Sequence, residues 1–240
     1  MQCNKMWLQV SFDLKNIKRD LVLLMSLFAP LILAALLKFG FPPLEQLVVS
    51  SFHVSLASFF PLMVVTCLLV TPFTVGMLSG FLILDERDEQ ILSYLSITPV
   101  AKSHFILYRL LFPVVICILA AGLLVYVNAW EFISLWELAA LLVLALEAPI
   151  VALIMAVFAD NKVEGLALGK VISISVAVPI VGFFIHSVWR WIGFVFPPFW
   201  IAEVFFAHST NMKATLLCGA FLYHAFIIWL LIRKLERKIG

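Results

Sequence analysis

Long apolar runs, separated by short polar connections, extend along the whole chain. Six of the runs reach the length at which a helix crosses a bilayer, since about 20 apolar residues span the hydrocarbon core. They occupy residues 21–37, 52–84, 110–130, 138–159, 171–189 and 214–232. The pattern predicts an all-α integral membrane protein with six transmembrane helices. An even number of spans places both termini on the same side of the membrane.

Composition supports this class and predicts one membrane domain over residues 1–240. Hydrophobic residues make up 64% of the sequence and the mean hydropathy is +1.13, whereas about half of a soluble domain is apolar. No internal repeat and no low-complexity linker divides the chain. The four cysteines, at positions 3, 67, 117 and 218, show no CxxC spacing, which favours neither a disulfide framework nor a metal site.

The distribution of lysine and arginine predicts the orientation. All but three of the 16 such residues lie in the terminal segments, in the second-to-third connection or in the fourth-to-fifth connection. The three on the other side are Lys38, Arg190 and Lys213. Cytoplasmic connections carry an excess of these residues, so both termini are predicted to be cytoplasmic. No basic patch marks nucleic acid as a partner.

The N-terminal segment, residues 1–20, has the spacing of an amphipathic helix. Trp7, Val10, Leu14 and Ile17 recur on one face, and the polar residues fall largely elsewhere. Such a helix lies in the headgroup plane, with its lysines reaching lipid phosphates. Two interpretations stay open: a plain anchor to membrane lipid, or a lever that joins a cytoplasmic partner to the first span.

The connection after the second span holds the densest charge cluster of a chain that is only 12% charged. Acidic residues at its start suit the positive N-terminal end of a helix, and Leu92 and Leu95 belong to an apolar face. Pro99 disfavours helical backbone at Thr98, so the helix is predicted to end there. Residues 85–99 should form a short amphipathic helix, which either docks a soluble partner or lies on the lipid.

This connection resembles the motif of type-2 ABC exporter permeases, in which an acidic–basic pair precedes a short amphipathic helix that ends in Thr-Pro. Within that family the chain is most similar to bacterial drug-export permeases of the fluoroquinolone-efflux kind. The layout of spans agrees over almost the whole chain, although Gln90 and Ile91 stand where a Gly-Thr pair is common. The residues that carry the resemblance, and the ATPase-coupling role it implies, are Glu86, Arg87, Asp88, Glu89, Leu92, Leu95, Thr98 and Pro99.

The resemblance implies a permease subunit of the bacterial plasma membrane that is not itself an enzyme. Its expected partners are a separate ABC ATPase subunit, which holds ATP and magnesium, and a second permease copy or paralogue. This chain would need no cofactor, and its substrate would be drug-like, a toxin or a peptide. The sequence agrees with this division of labour. Residues 165–171 partly match the phosphate-binding motif GxxxxGK[ST], but they are one residue short and end in Val171 instead of Ser or Thr.

Two ionisable residues are predicted at similar depth inside spans, Glu147 in the fourth and His224 in the sixth. Ionisable groups at that depth are costly and are functional candidates by default. The two would pair if their helices touch, and they are candidates for the substrate pathway. The alternative for Glu147 is a neutral group hydrogen-bonded within the packing. Arg109, one turn into the third span, is expected to extend its guanidinium to lipid phosphate.

The connection before the sixth span is rich in aromatic residues, which are typical of a membrane interface. Pro197 and Pro198 precede a short helix that includes Phe199 and Trp200. The resemblance implies an outer re-entrant helix here, over residues 197–208. Simple interfacial anchoring is the alternative.

Three other function classes are alternatives to an exporter. An intramembrane enzyme would need HExxH, paired aspartates or GxSxG, and none of these occurs. A channel or secondary transporter would favour Gly-rich broken helices or an inverted repeat, yet only 10 glycines are present. A membrane subunit that merely anchors an ATPase stays open on sequence alone.

Overall fold

The protein is described here by a computed structural model, which covers residues 13, 15–88, 102–128, 133–185 and 187–239. Six helices in the described residues are long and apolar enough to cross a membrane, as predicted. The spans are Leu21–Phe52, Ala57–Asp88, Tyr108–Asn128, Leu135–Phe158, Lys162–Phe184 and Thr210–Lys238. The third and sixth spans belong to longer helices, Lys102–Asn128 and Thr210–Ile239. A 3-10 helix, Val188–Val195, and a short α-helix, Pro197–Phe206, connect the fifth and sixth spans.

The first span is longer than predicted, because the helix continues where the sequence suggested a connection at 38–51. It consists of Leu21–Ala35, a π-helical turn Leu36–Gly40 and a second helix Phe41–Phe52. Pro42 and Pro43 lack the N–H groups that regular helix bonding needs. The bonding register therefore widens just before them, and the Phe41 N–H bonds to the Leu36 carbonyl.

The fifth span also differs from its predicted limits, since it begins at Lys162 and ends at Phe184. Asn161 caps its start, with its side-chain oxygen accepting from the Glu164 N–H at 3.0 Å. Lys170, which the sequence placed in the preceding connection, therefore lies within the helix. A boundary placed by hydropathy makes a span too short when the first turns of its helix carry charged residues.

The second and fourth spans form the centre of the bundle, and most of their length is buried, whereas less than a third of each of the other four is buried. Two glycines of the second span allow close contact with the fourth. A Cβ on Gly76 would lie 2.5 Å from the Ala148 carbonyl oxygen, and one on Gly80 would lie 2.5 Å from the Met155 sulfur. A side chain at Gly76 would overlap the backbone of the fourth span, whereas one at Gly80 would displace the Met155 side chain.

Gly165 and Gly169 likewise allow the start of the fifth span to pack closely against the second span. A Cβ on Gly165 would lie 2.6 Å from Leu84, and one on Gly169 would lie 2.3 Å from Met77. The glycine run that superficially resembles a phosphate-binding loop is thus a surface that packs against the second span.

The short helix Pro197–Phe206 packs within the bundle. Its two prolines occupy the first turn, where a missing N–H costs nothing. Phe199 is 1% exposed, and the Trp200 indole donates to the Phe194 carbonyl at 2.8 Å. These two aromatic side chains contact protein, whereas Trp189 and Trp191 are exposed. A re-entrant position in the outer leaflet stays a prediction.

Candidate functional site

Three consecutive residues at the end of the second span, Asp85, Glu86 and Arg87, contact three different groups of partners. Successive residues of an α-helix are about 100° apart around its axis, so three in a row face three neighbours. We call these residues and their partners the charged junction. The end of the bundle at which it lies is called the charged end.

Glu86 faces inward and shares a buried arginine with the N-terminal segment. Arg109 of the third span donates from Nη1 and Nη2 to the two carboxylate oxygens of Asp13, at 2.8 and 3.0 Å. Its Nε donates to Glu86 at 3.0 Å. The exposed fractions are 1% for Asp13, 3% for Arg109 and 9% for Glu86. One guanidinium thus binds two carboxylates, which is geometry that arginine favours.

This arrangement corrects the expectation that Arg109 reaches lipid phosphate. The side chain turns inward because Asp13 offers it a bidentate partner and Glu86 a second one. The Tyr108 hydroxyl also donates to Asp13, at 2.9 Å. No local pattern in the sequence indicates this contact, because Asp13 and Arg109 are 96 residues apart.

Asp85 contacts the fifth span through a lysine that it shares with Asp20. The Lys162 ammonium lies 3.1 Å from Asp85 and 2.5 Å from Asp20. Asp20 also caps the first span by accepting from the Val22 N–H at 2.8 Å. The hydrogen bond from Lys162 lowers the pKa of Asp20 below its ordinary value, with the cap bonds adding to the effect. The starts of the first and fifth spans are thereby joined to the end of the second.

Arg87 caps the C-terminal end of the fourth span. Its guanidinium donates to the Ala156 and Ala159 carbonyls, both at 2.7 Å. The last carbonyls of a helix have no partner within it and carry partial negative charge, so a cation there is stabilising.

Lys238 of the sixth span joins Arg87 at this helix end. It donates to the Val157 carbonyl at 2.9 Å and to Asp160 at 2.6 Å. The hydrogen bond from Lys238 lowers the pKa of the exposed Asp160 carboxyl. The junction therefore includes the N-terminal segment and all six spans.

The predicted coupling residues divide between the described and undescribed parts of the chain. Glu86, Arg87 and Asp88 form the last turn of the second span, and Asp88 is exposed. Glu89, Leu92, Leu95, Thr98 and Pro99 lie outside the described residues. The sequence located the cluster but missed its partners. Of these, only Asp20 had a local signal, since an aspartate directly before an apolar run is a helix cap.

The structure brings Glu147 and His224 together at the second site predicted from sequence. The fourth span is interrupted between the helices Leu135–Leu144 and Glu147–Phe158. Pro149 accounts for the interruption, since it lacks an N–H and its ring clashes with the carbonyl four residues earlier. Glu147 begins the second half, and its Oε1 lies 3.5 Å from the His224 Nε2. The contact is present, and its role in transport stays a prediction.

Comparison with known proteins gives a consistent family. Residues 13–232 match the model described as "Fluoroquinolones export permease protein Rv2686c-like". The chain is 28% identical over 236 residues to Fluoroquinolones export permease protein Rv2686c of Mycobacterium tuberculosis strain ATCC 25618 / H37Rv. The same values hold for Fluoroquinolones export permease protein MT2760 of strain CDC 1551 / Oshkosh, and the alignments cover 94% of this chain and 92% of each relative. No solved structure matches.

Proposed function

Because this chain belongs to the Rv2686c-like family of fluoroquinolone export permeases, we propose that it is the membrane-spanning subunit of an ATP-driven exporter. A separate ABC ATPase subunit docks on residues 89–99, and the charged junction passes the movement of that segment to the spans. The charged end is cytoplasmic, as the lysine and arginine distribution favours. The protein is a multi-pass component of the bacterial plasma membrane.

The observation that carries this proposal is that the charged junction directly precedes the docking segment along the chain. Arg87 lies two residues before that segment, and its two bonds of 2.7 Å hold the end of the fourth span. Glu86 and Asp85 hold the third and fifth spans through Arg109 and Lys162. A force applied at the segment therefore reaches both central spans and their neighbours through short polar contacts. A protein that only anchored an ATPase would not need such contacts.

The exposed apolar faces support a dimer of permeases. In the single chain only a minor part of the first, third, fifth and sixth spans is buried, and lipid or a second copy covers their remaining apolar surface in a membrane. The proposed substrate is a drug-like amphipathic or aromatic compound. Its support is the names of the two relatives, which are both fluoroquinolone export permeases.

Co-expression with the candidate ATPase tests the proposal by separating docking from transmission. Leu92→Asp together with Leu95→Asp should abolish co-purification of the ATPase, because charges replace the apolar docking face. Arg87→Gln should keep co-purification but lose most drug-stimulated ATP hydrolysis. The matched control is Arg237→Gln, which removes an exposed arginine at the same end and should behave as wild type. Normal docking and hydrolysis in both the double variant and Arg87→Gln would contradict the proposal.

A further inference from the structure

The pair formed by Glu147 and His224 lies outside the charged junction and is almost completely buried. His224 is 0% exposed and Glu147 is 5% exposed. Glu147 Oε1 and His224 Nε2 face each other at 3.5 Å, and neither atom has a hydrogen-bond partner. Two buried polar atoms left without partners are costly, so their juxtaposition needs an explanation.

The second ring nitrogen of His224 shows where one proton must lie. Nδ1 is 2.7 Å from the Ala220 carbonyl oxygen. A carbonyl oxygen can only accept, so Nδ1 carries a hydrogen and donates it. The Nε2 that faces Glu147 then has a lone pair whenever the ring is neutral. A carboxylate oxygen and a bare ring nitrogen repel each other, whereas one additional proton between them turns this contact into an attraction.

The surroundings of the pair favour that single additional proton. Val75 of the second span, Cys117 of the third and Ala148 of the fourth form a fully buried apolar cluster next to it. The Cys117 thiol is a further titratable group that interacts electrostatically with Glu147. Three charged groups nearer the ends of the fourth and sixth spans have partners of their own. Glu137 pairs with Lys213, and Lys238 pairs with Asp160. An uncompensated charge at this depth is costly, and only the one-proton pair is neutral overall.

We propose that Glu147 and His224 form a one-proton binding site, which holds its proton while the fourth and sixth spans are packed and releases it when water reaches the pair. In the packed state the Glu147 carboxyl donates to Nε2, or the imidazolium donates to the carboxylate, and the net charge is zero in both cases. The proton is thus a ligand in addition to the exported substrate. This inference does not depend on partnership with an ATPase.

The proton balance on opening follows from ordinary solution chemistry. In water a glutamic acid ionises near pH ~4.3 and an imidazolium near pH ~6.5. Above about pH 6.5 a hydrated pair binds no additional proton, so opening releases one proton to water. At pH values between these two constants the hydrated imidazole keeps one proton, so opening releases none. Raising the pH through about 6.5 should therefore favour the open state.

The second half of the fourth span links this site to the charged junction. Glu147 begins the helix Glu147–Phe158, and Arg87 and Lys238 hold the carbonyls at its other end. Those 12 residues extend about 18 Å. The sixth span carries both His224 and Lys238, and Leu153 packs against it in one apolar cluster with Leu231. The two helices are therefore held together at the junction, along their length and at the proton site.

A proton count on the full-length permease in detergent tests the site without any ATPase. The protein is denatured at pH 8 in a weakly buffered solution that contains an indicator dye. Wild type should release about one proton more than Glu147→Gln. Glu137→Gln is the matched control, because that carboxylate lies in the same span but pairs with Lys213, and it should give the wild-type count. Equal counts for all three proteins would overturn the proposal.

A second variant keeps the test decisive if Glu147→Gln does not fold. At pH 5.5 wild type should release no proton from this pair on denaturation, because the hydrated imidazole takes it up. His224→Gln should release about one, since its buried Glu147 then loses a proton without an imidazole to receive it. Equal counts for wild type and His224→Gln would refute the shared site. Release of a proton when an amine drug is added to the folded protein at pH 8 would show a substrate site instead.

Discussion

Glu86 and Arg109 meet in the interior of the protein, where the arginine Nε donates to the glutamate at 3.0 Å. Asp13 binds the adjacent edge of the same guanidinium, through Nη1 and Nη2. Removing one partner of a buried ion pair is more damaging than the pair is stabilising, because a buried charge is left uncompensated. The three residues should therefore respond very unequally to substitution.

We expect Arg109→Met to lower the free energy of unfolding by about 3–5 kcal/mol, since it leaves two buried carboxylates facing each other. Glu86→Gln should cost less, about 1–3 kcal/mol, because Arg109 keeps its bidentate contact with Asp13. Thermal unfolding in detergent measures both. If Glu86→Gln were the more damaging of the two, Asp13 would not be the principal partner of Arg109.

The close contact between the second and fourth spans predicts a sharp contrast between glycines. Gly76→Ala should destabilise the protein by several kcal/mol, because its Cβ would overlap Ala148 and Val151 across a backbone-to-backbone contact. Gly122→Ala is the matched control, since nothing lies within 4 Å of a Cβ placed there. It should be neutral or stabilising by up to about 1 kcal/mol through helix propensity. Equal melting temperatures for the two variants would contradict the packing.

Acid should weaken the contact between Asp20 and Lys162. The pKa of Asp20 is lowered in the folded protein. The contribution of the ion pair to the free energy of unfolding is therefore fully present above about pH 3.9, where an unfolded aspartate ionises. The contribution is lost as the pH falls through the lowered pKa. Asp20→Asn should therefore be less stable than wild type at pH 7, and the difference should vanish in strong acid. Melting curves over this range measure it.

Asp20→Asn isolates the ion pair because asparagine can still cap the first span. Asp20→Ala should lose the cap as well, so it should remain less stable than wild type in acid. Asp88→Asn, which changes an exposed carboxyl at the same end, serves as the charge control. A deficit of Asp20→Asn that did not change with pH would show that the cap, and not Lys162, is what matters.

Cysteine labelling checks the orientation of the charged end. In a variant whose four native cysteines are replaced, Asp88→Cys and Glu236→Cys should react only with reagents that reach the cytoplasm. Ser51→Cys and Ser209→Cys should react from outside. All four positions are exposed, so access depends on sidedness alone. External labelling at position 88 would invert the topology and remove the proposed docking surface from the ATPase.

The sequence predicted the parts of this fold that depend on local composition. Six spans are confirmed because an apolar run of bilayer length has few alternatives to a helix. The first span extends beyond its predicted end because Pro42 and Pro43, which usually terminate a helix, are accommodated by a wider turn. Lys38 also remains within that helix, since its ammonium donates to the Val127 carbonyl at 3.1 Å.

The site was predictable only where its residues are neighbours along the chain. The cluster from Asp85 to Arg87 is visible as a local excess of charge, but its partners lie 23 to 77 residues away. Nothing local marks Lys162 or Asp13 as one of those partners. The contact of Glu147 with His224 was predictable from depth, because the two residues lie at similar distances from the outer ends of their predicted spans, 138–159 and 214–232.

The three directions taken by Asp85, Glu86 and Arg87 restrict how the second span can move. A helix held at a single azimuth can turn about its own axis with little resistance. The second span is held on three sides, by Lys162, Arg109 and the Ala159 carbonyl. Rotation of the helix about its axis would therefore strain all three contacts at once. Torque applied at its end is therefore divided among the third, fourth and fifth spans at once, and these spans must turn together.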